Sequence, residues 1–336
     1  VASGAFRWGI LGTAGIAGTF TRSVHASGAG RIEAVASRDL ARAKAWAEAH
    51  GVEHAFGAYR ELLDARVVDA IYLPLPNSLH ADWTVAALEA GYPVLCEKPL
   101  ATTLAEALRV REAARRSGLH AAEGFMYRHH PLHARLVELV RGGAVGRLTN
   151  ISARFTFRLD DSAATPASAA LGGGALLDVG CYAVHLARLV AGVEPSRALA
   201  FARGEAVDEL FTGLLEFPGG VHAVIEAGIA TAERHGAEIA GEEASLLVES
   251  PWHPGLEQGR ILRRLFGAPD EEILTPGGDA YALEAEEFAA VCRGERAPRW
   301  GLEDAVANAA ACQALARAAR EGRAIPVEPV GAEEPR

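Results

Sequence analysis

An amine and a phenol stand out in this 336-residue sequence. Only two lysines occur, Lys44 and Lys98, against 31 arginines. Surface charge is therefore carried by arginine, and a lysine draws attention. Lys98 lies in Glu97-Lys98-Pro99, directly after the apolar run Val94-Leu95-Cys96. Tyr182 closes the segment Gly172-Gly173-Gly174-Ala175-Leu176-Leu177-Asp178-Val179-Gly180-Cys181-Tyr182. If the chain is helical from Leu176 onward, Asp178, Tyr182 and His185 share one face of an otherwise apolar segment, at i, i+4 and i+7. Such a face would line a cleft, and the three glycines before it let chain or ligand approach closely. A phenol with its usual pKa of about 10 is a poor base at neutral pH, but a nearby ammonium favours the phenolate. Lys98 could supply that charge while Tyr182 removes the proton of an alcohol; in reverse, neutral Tyr182 gives it to a carbonyl oxygen. Each residue has a bland alternative. Lys98 would be a surface amine before a turn, Tyr182 a core phenol, Asp178 a helix cap and His185 a packed helix histidine.

A ligand for such chemistry is suggested near the start of the chain. Phe6–Gly12 reads as a buried strand ending in glycine, and a helix is expected over 14–26. Between them, Gly12, Thr13, Ala14, Gly15 and Ile16 take the place of the G-x-G-x-x-G/A dinucleotide fingerprint, with Ala14 and Ala17 replacing the second and third glycines. The first glycine permits the tight turn, and the helix N-terminus suits a pyrophosphate. At the end of the second strand, Ile32–Ser37, an acidic residue would hold the ribose of NAD. Here Ser37-Arg38 comes first, and a hydroxyl with a guanidinium suits the 2′-phosphate of NADP. NADP is the expected cofactor; NAD remains open through Asp39.

The elements that must position these groups alternate. Further strands are expected over 68–74, 94–96 and 120–124, with helices over 40–50, 78–90 and 104–117. That rhythm implies βαβ units and a parallel sheet, whose ligands bind beyond the carboxyl ends of its strands. Pro76-Asn77 and His80 follow one strand end; His80 either touches a cofactor or caps a helix. After about residue 145 the pattern changes to runs over 148–158, 210–217, 221–229 and 237–249 without long helices between them, which implies an antiparallel sheet. Helices return over 281–293 and 302–320. The fold expected is α/β: a Rossmann domain over 1–124, then an α+β domain over 125–336 with a large, mostly antiparallel open sheet. The segment 159–171 is a candidate loop beside the substrate.

Composition narrows the rest. A net charge of −10 and a pI near 5.7 argue against nucleic-acid or anionic-membrane partners. No apolar run is expected to reach the roughly 18 residues of a membrane span. Four cysteines without a CxxC pair make neither a zinc site nor a disulfide framework, and a cytoplasmic location fits. The twelve histidines show no metal-ligand spacing on an expected helix. The chain begins at Val1 without Met, consistent with removal of an upstream segment.

Glu97-Lys98-Pro99 joined to the 172–182 segment resembles the Gfo/Idh/MocA oxidoreductases. Pro76-Asn77 with His80, Glu123-Gly124-Phe125-Met126-Tyr127-Arg128, Tyr281 and Phe288 extend the resemblance nearly end to end. It implies hydride transfer between a nicotinamide and a sugar, polyol or diol, with Lys98 as active-site lysine, Asp178 on the substrate side and Tyr182 as acid/base. It places Pro76, Asn77, His80, Glu97 and Lys98 at the cofactor. Arg128 is expected to bind a substrate hydroxyl or an acidic helix end, and His185 is a further substrate candidate. Tyrosine at 182 is similar to the glucose–fructose oxidoreductase, dihydrodiol dehydrogenase and xylose dehydrogenase branch. A homodimer or homotetramer through the second domain's sheet is implied. Two other classes share the fold: a dinucleotide-binding regulator without chemistry, and a glycosidase using tightly held NAD.

Overall fold

The computed structural model describes residues 5–160, 164–265 and 267–331. Its contacts divide the chain into two units. The first unit is a parallel sheet wrapped by helices. In chain order it contains β1 (Arg7–Leu11), α1 (Gly15–Ser27), β2 (Arg31–Ala36), α2 (Leu40–His50), β3 (His54–Phe56), α3 (Tyr59–Ala65), β4 (Ala70–Leu73), α4 (Asn77–Glu89), β5 (Val94–Glu97), α5 (Leu104–Ser117) and β6 (Ala121–Gly124). Strand order is β3-β2-β1-β4-β5-β6, all parallel. The direction of winding reverses between β1 and β4, where ligands of such sheets bind. β3 and α3 were not anticipated; both are short and lack a clear hydrophobic period.

Fully buried Trp8 centres this unit's core. Its ring meets Phe20 edge-on at 5.2 Å and Phe288 at 5.3 Å, and Phe20 stacks on Tyr72 at 3.8 Å. Phe288 comes from far along the chain. The segment 279–305 joins the first unit, and residues 102–104 join the second. A contiguous division at 124/125 therefore misassigns that late segment. The reason is packing: α8, the helix over Ala280–Cys292, covers α1.

The second unit is built on a nine-stranded sheet. Its elements are α6 (Pro131–Arg141), β7 (Leu148–Arg158), α7 (Cys181–Ala191), β8 (Arg197–Arg203), β9 (Leu210–Glu216), β10 (His222–Gly228), β11 (Ala230–Gly241), β12 (Ala244–Val248), β13 (Gln258–Leu265), β14 (Glu271–Pro276), α9 (Leu302–Glu321) and β15 (Ile325–Pro326). The order is β14-β13-β12-β11-β7-β10-β9-β8-β15. All pairs are antiparallel except β10 with β7. The run expected as one strand over 237–249 is a hairpin of β11 and β12, turned at 242–243.

The helical stretch Ala169–Ala191 contains a window of mean hydropathy 1.3, long and apolar enough to cross a membrane by composition, contrary to expectation. It is broken into 3₁₀, π and α pieces, and 78% of the window is buried. That is the environment of a core segment, whose all-round hydrophobicity follows from burial on every side. Of the candidate loop 159–171, residues 161–163 lie outside the described residues, as do 332–336 of the tail. None of the four cysteines is in a disulfide.

Candidate active site

In the first unit, the glycine turn fits a dinucleotide. Gly12 follows β1 with φ +114°, and a Cβ there would sit 3.0 Å from Leu75 Cδ2 and 3.4 Å from the Pro74 carbonyl. Glycine is thus required by both conformation and space. A Cβ on Gly15 would meet nothing within 4 Å, so the start of α1 opens outward. No side chain caps that helix, and its first turn carries no acid. Its N–H groups are available to a pyrophosphate.

Beyond β2, Ser37 is buried and its Oγ accepts from the Asp39 amide at 3.4 Å. Asp39 caps α2, its Oδ1 accepting from the amides of Ala41 at 2.8 Å and Arg42 at 3.3 Å. That engagement weakens the reading in which Asp39 holds a ribose. Arg38 is exposed. Burial pushes the Tyr59 hydroxyl upward in pKa, opposed by Arg38 and Arg42 beside it. Two guanidiniums therefore converge past the strand end. Arg42 was overlooked because, read along the sequence, it is one more polar position on an Ala-rich helix.

Glu97 and His80 hold their neighbours rather than facing outward. Glu97 is buried, accepting from Tyr72 Oη at 2.7 Å and from the Lys98 amide at 3.3 Å. Burial raises its pKa, while Lys98 and Tyr72 oppose the rise. His80 is neither a cap nor exposed. Its Nδ1 lies 2.7 Å from the Pro99 carbonyl and its Nε2 2.6 Å from the Leu75 carbonyl, tying the end of β4 to the Glu97-Lys98-Pro99 turn. Burial lowers its pKa. A second buried carboxylate steadies the same turn: Glu123 Oε1 accepts from the Leu100 amide at 2.7 Å. Lys98 itself is half-buried, as are Thr13, Ile16 and Pro76, while Ala14 and Gly15 are exposed and Asn77 is buried.

In the second unit, the segment carrying Asp178 and Tyr182 departs from a plain α-helix. Leu176–Gly180 forms a π turn, with the Cys181 amide reaching the Leu176 carbonyl, and α7 begins at Cys181. The wider turn alters the simple i, i+4, i+7 geometry, and π turns recur at functional sites. No local side chain caps its start. Asp208 does so from the β8–β9 hairpin. Its Oδ2 accepts from the Leu176 amide at 2.7 Å and its carbonyl from the Ala175 amide at 2.6 Å. A Cβ on Gly174, where φ is +110°, would run into Asp208 Oδ1. Gly174 is thus explained by a residue 34 positions later, which no local pattern could reveal.

Tyr182 is 6% exposed and walled by aromatic rings. Ring centres lie 5.6 Å away for Phe155, and 5.7 Å for both Trp252 and Tyr127. Trp252 donates its indole N–H to the Arg154 carbonyl at 2.9 Å. His235 and His253 stack beyond Phe155, the His235 ring 4.6 Å from it. Asp178 is half-buried.

Arg128 and His185, expected on the substrate, are 4% and 1% exposed. Arg128 Nη1 lies 3.3 Å from His185 Nε2, and His185 Nδ1 contacts the Tyr127 hydroxyl. Both side chains are buried in the second unit. Among the described residues, Glu33, Glu53 and His54 bring ligand atoms within 4.8 Å of one another, but Glu33 already pairs with Arg31 at 2.6 Å.

Comparison with known proteins settles the family. Residues 6–125 match the oxidoreductase family model with an NAD-binding Rossmann fold, and 133–247 match the GFO/IDH/MocA C-terminal domain. The chain belongs to the Gfo/Idh/MocA family. It is an NAD(P)-dependent oxidoreductase. It is 35% identical over 328 residues to the NADP⁺ D-xylose 1-dehydrogenase 2 of Haloferax volcanii, covering 96% of this chain and 99% of that one. It is 32% identical over 256 residues to trans-1,2-dihydrobenzene-1,2-diol dehydrogenase of Mus musculus, covering 74% and 76%. The crystal structure of KijD10, a 3-ketoreductase from Actinomadura kijaniata in complex with NADP and TDP-benzene, superimposes with a TM-score of 0.89 at 32% identity. It covers 94% of this chain and 98% of the other.

Proposed function

We propose that this Gfo/Idh/MocA protein is an NADP-dependent oxidoreductase of a small sugar, polyol or vicinal diol. The observation that carries the reading is Tyr182 at the first turn of α7, walled by Tyr127, Phe155 and Trp252. Aromatic walls with a few polar groups characterise small-molecule sites. Asp178, on the preceding turn, holds a hydroxyl beside the reacting carbon. Tyr182 takes or returns the hydroxyl proton, and Lys98 supplies the ammonium that favours its phenolate. When bound, the nicotinamide accepts or delivers the hydride. Gly12, Thr13, Ala14, Gly15 and Ile16 cradle the pyrophosphate, and Ser37, Arg38 and Arg42 hold the 2′-phosphate. The outer face of the nine-stranded sheet, where Phe201 and Leu214 are exposed, joins copies into a dimer or tetramer.

A second reading, reduction of a TDP-linked keto sugar, is favoured by the similarity to KijD10. One assay separates them. Turnover is followed by nicotinamide absorbance across pentoses, hexoses, inositols, trans-diols and a TDP-sugar, with NADP and with NAD. The expected result is turnover of a free sugar or diol with NADP. Tyr182→Phe and Lys98→Ala lose about a hundredfold or more in kcat while keeping NADP affinity. Arg38→Ala weakens NADP roughly tenfold to hundredfold and leaves NAD unchanged, as loss of one charge-assisted hydrogen bond would. Full turnover in both Tyr182→Phe and Lys98→Ala overturns the reading. Hydrolysis of a glycoside with no net change in absorbance would instead identify a redox glycosidase.

A further inference from the structure

We propose that His130 is a positioning residue that fastens the loop carrying Trp252 to the start of α6, and so holds the aromatic wall around Tyr182 in place. The inference rests on the reading of Tyr182 as the acid/base. His130 is buried and is the N-cap of α6, ahead of Pro131. Its Nδ1 accepts from the Leu132 amide at 3.1 Å. On the other side of the ring, Nε2 lies 3.2 Å from the Gly255 carbonyl. Both partners are backbone groups with fixed roles. An amide N–H only donates and a carbonyl only accepts, so Nδ1 carries no proton and Nε2 carries the one proton of a neutral imidazole. Burial favours that neutral form by lowering the pKa. A helix cap needs only an acceptor, and serine, threonine, asparagine and aspartate supply it best. The second nitrogen is what a cap does not need, and here it reaches a segment 125 positions away.

That segment is the loop between β12 and β13, which carries Trp252. Trp252 is fully buried, its ring 5.7 Å from Tyr182, 5.4 Å from Tyr127 and stacked on Phe155 at 5.9 Å. Side-chain hydrogen bonds tie the stretch 252–255 to the rest of the second unit at both ends. Trp252 donates its indole N–H to the Arg154 carbonyl at 2.9 Å, and His130 donates to Gly255. Between them lie only His253 and Pro254, and proline restricts the backbone. The Ser250 hydroxyl donates to the His253 carbonyl at 2.8 Å and stiffens the approach. Gly255 is closely placed: a Cβ there would come within 2.4 Å of the Gln258 carbonyl oxygen. The Gly278 amide also reaches the Gly255 carbonyl, at 3.4 Å, so the His130 bond is the shorter of the two. With both ends pinned, the Trp252 indole has little freedom to turn. Freed at Gly255, the stretch would lean on the Arg154 bond, and the wall that orients a small substrate would loosen. His130 acts through Trp252 rather than on the reacting atoms.

Two substitutions separate the clamp from the cap. His130→Asn keeps an acceptor for the Leu132 amide, since asparagine is a good N-cap, but its shorter side chain gives up the Gly255 carbonyl. His130→Ala gives up both. NMR on the ¹⁵N-labelled full chain reports on the loop directly. The Trp252 indole N–H is assigned by the signal missing from Trp252→Phe, and Trp8 in the first unit is the control. In His130→Asn the Trp252 indole should exchange with solvent deuterium about tenfold faster, with Trp8 unchanged. Kinetics with the fastest compound of the substrate panel should show KM raised roughly threefold to tenfold, the effect of one hydrogen bond, with NADP affinity unchanged. His130→Ala should share that kinetic change and also unfold at lower denaturant. A residue that serves only as a cap would instead be rescued by asparagine in every readout. In the native protein, ¹⁵N ring correlations should give the Nε2–H form of His130, assigned through its backbone resonances, and this measurement decides should the variants fail to fold. An Nδ1–H form in the native protein, or native indole exchange or native KM in His130→Asn, overturns the proposal. Full turnover in both Tyr182→Phe and Lys98→Ala would overturn the acid/base reading and with it the role given to the wall, while the tautomer and exchange results would stand on their own.

Discussion

The cofactor edge of the first unit and the phenol-bearing segment of the second are held in opposite ways. At the cofactor edge, several candidates are fixed in part by their neighbours in sequence. Gly12 directly follows β1, Asp39 caps the helix that follows it, and Glu97 accepts from the amide of the next residue. Around Tyr182, support comes from far along the chain. Asp208 caps the π turn across the β8–β9 hairpin, and Trp252 closes the aromatic wall from the loop after β12. The contrast separates a region fixed partly by local sequence from one assembled across distant segments. A locally encoded site survives changes elsewhere, whereas a site assembled from distant segments changes whenever any of them does.

Variants at three positions test that contrast, from the largest effect to the smallest. Trp252→Ala removes a fully buried ring and its hydrogen bond to Arg154. It should cost about 3–5 kcal/mol in stability and depress kcat, yet leave NADP affinity in the folded fraction unchanged. Chemical denaturation with cofactor titration measures both, and an equal loss of NADP affinity would break the contrast. Asp208→Ala deletes the long-range cap and should cost about 1–2 kcal/mol with a several-fold fall in kcat. Asp208→Asn, which retains an acceptor for the Leu176 amide, should recover most of it. If the two are equally impaired, the carboxyl charge matters more than the cap.

The smallest effect is a pH slope. Burial holds His133 at a pKa of about 3, well below its unfolded value. Below about 6.5 the unfolded chain takes up a proton that the folded one refuses, so stability is fully present above that pH and falls as pH drops toward 3. One such group contributes about 1.4 kcal/mol per pH unit within that window. His133→Phe should flatten the acid limb of stability by about that slope. An unchanged limb would assign acid sensitivity to other buried histidines, such as His80 and His130, whose pKa values burial also lowers.

Alternating strands and helices, the glycine turn and the Glu97-Lys98-Pro99 segment were legible because each depends on residues a few positions apart. Hydrophobic period, capping and turn chemistry act over that range. The short β3, the β11–β12 hairpin within an apparently continuous run, and the return of α8 to cover α1 were not, since pairing and packing partners lie outside any local window. The same boundary runs through the candidate site. Arg38 and Tyr182 could be named from type and position, while Arg42 and Asp208 could not.

By itself, the sequence determined the family, the Rossmann fold and the chemical types offered at the candidate site, because motifs and periodicity are written in consecutive residues. Only the tertiary structure decided that Arg128 and His185 lie inside, engaged with each other and with Tyr127. Whether a polar side chain meets solvent or another side chain depends on which distant segments close over it, and a buried donor must then find its partner there.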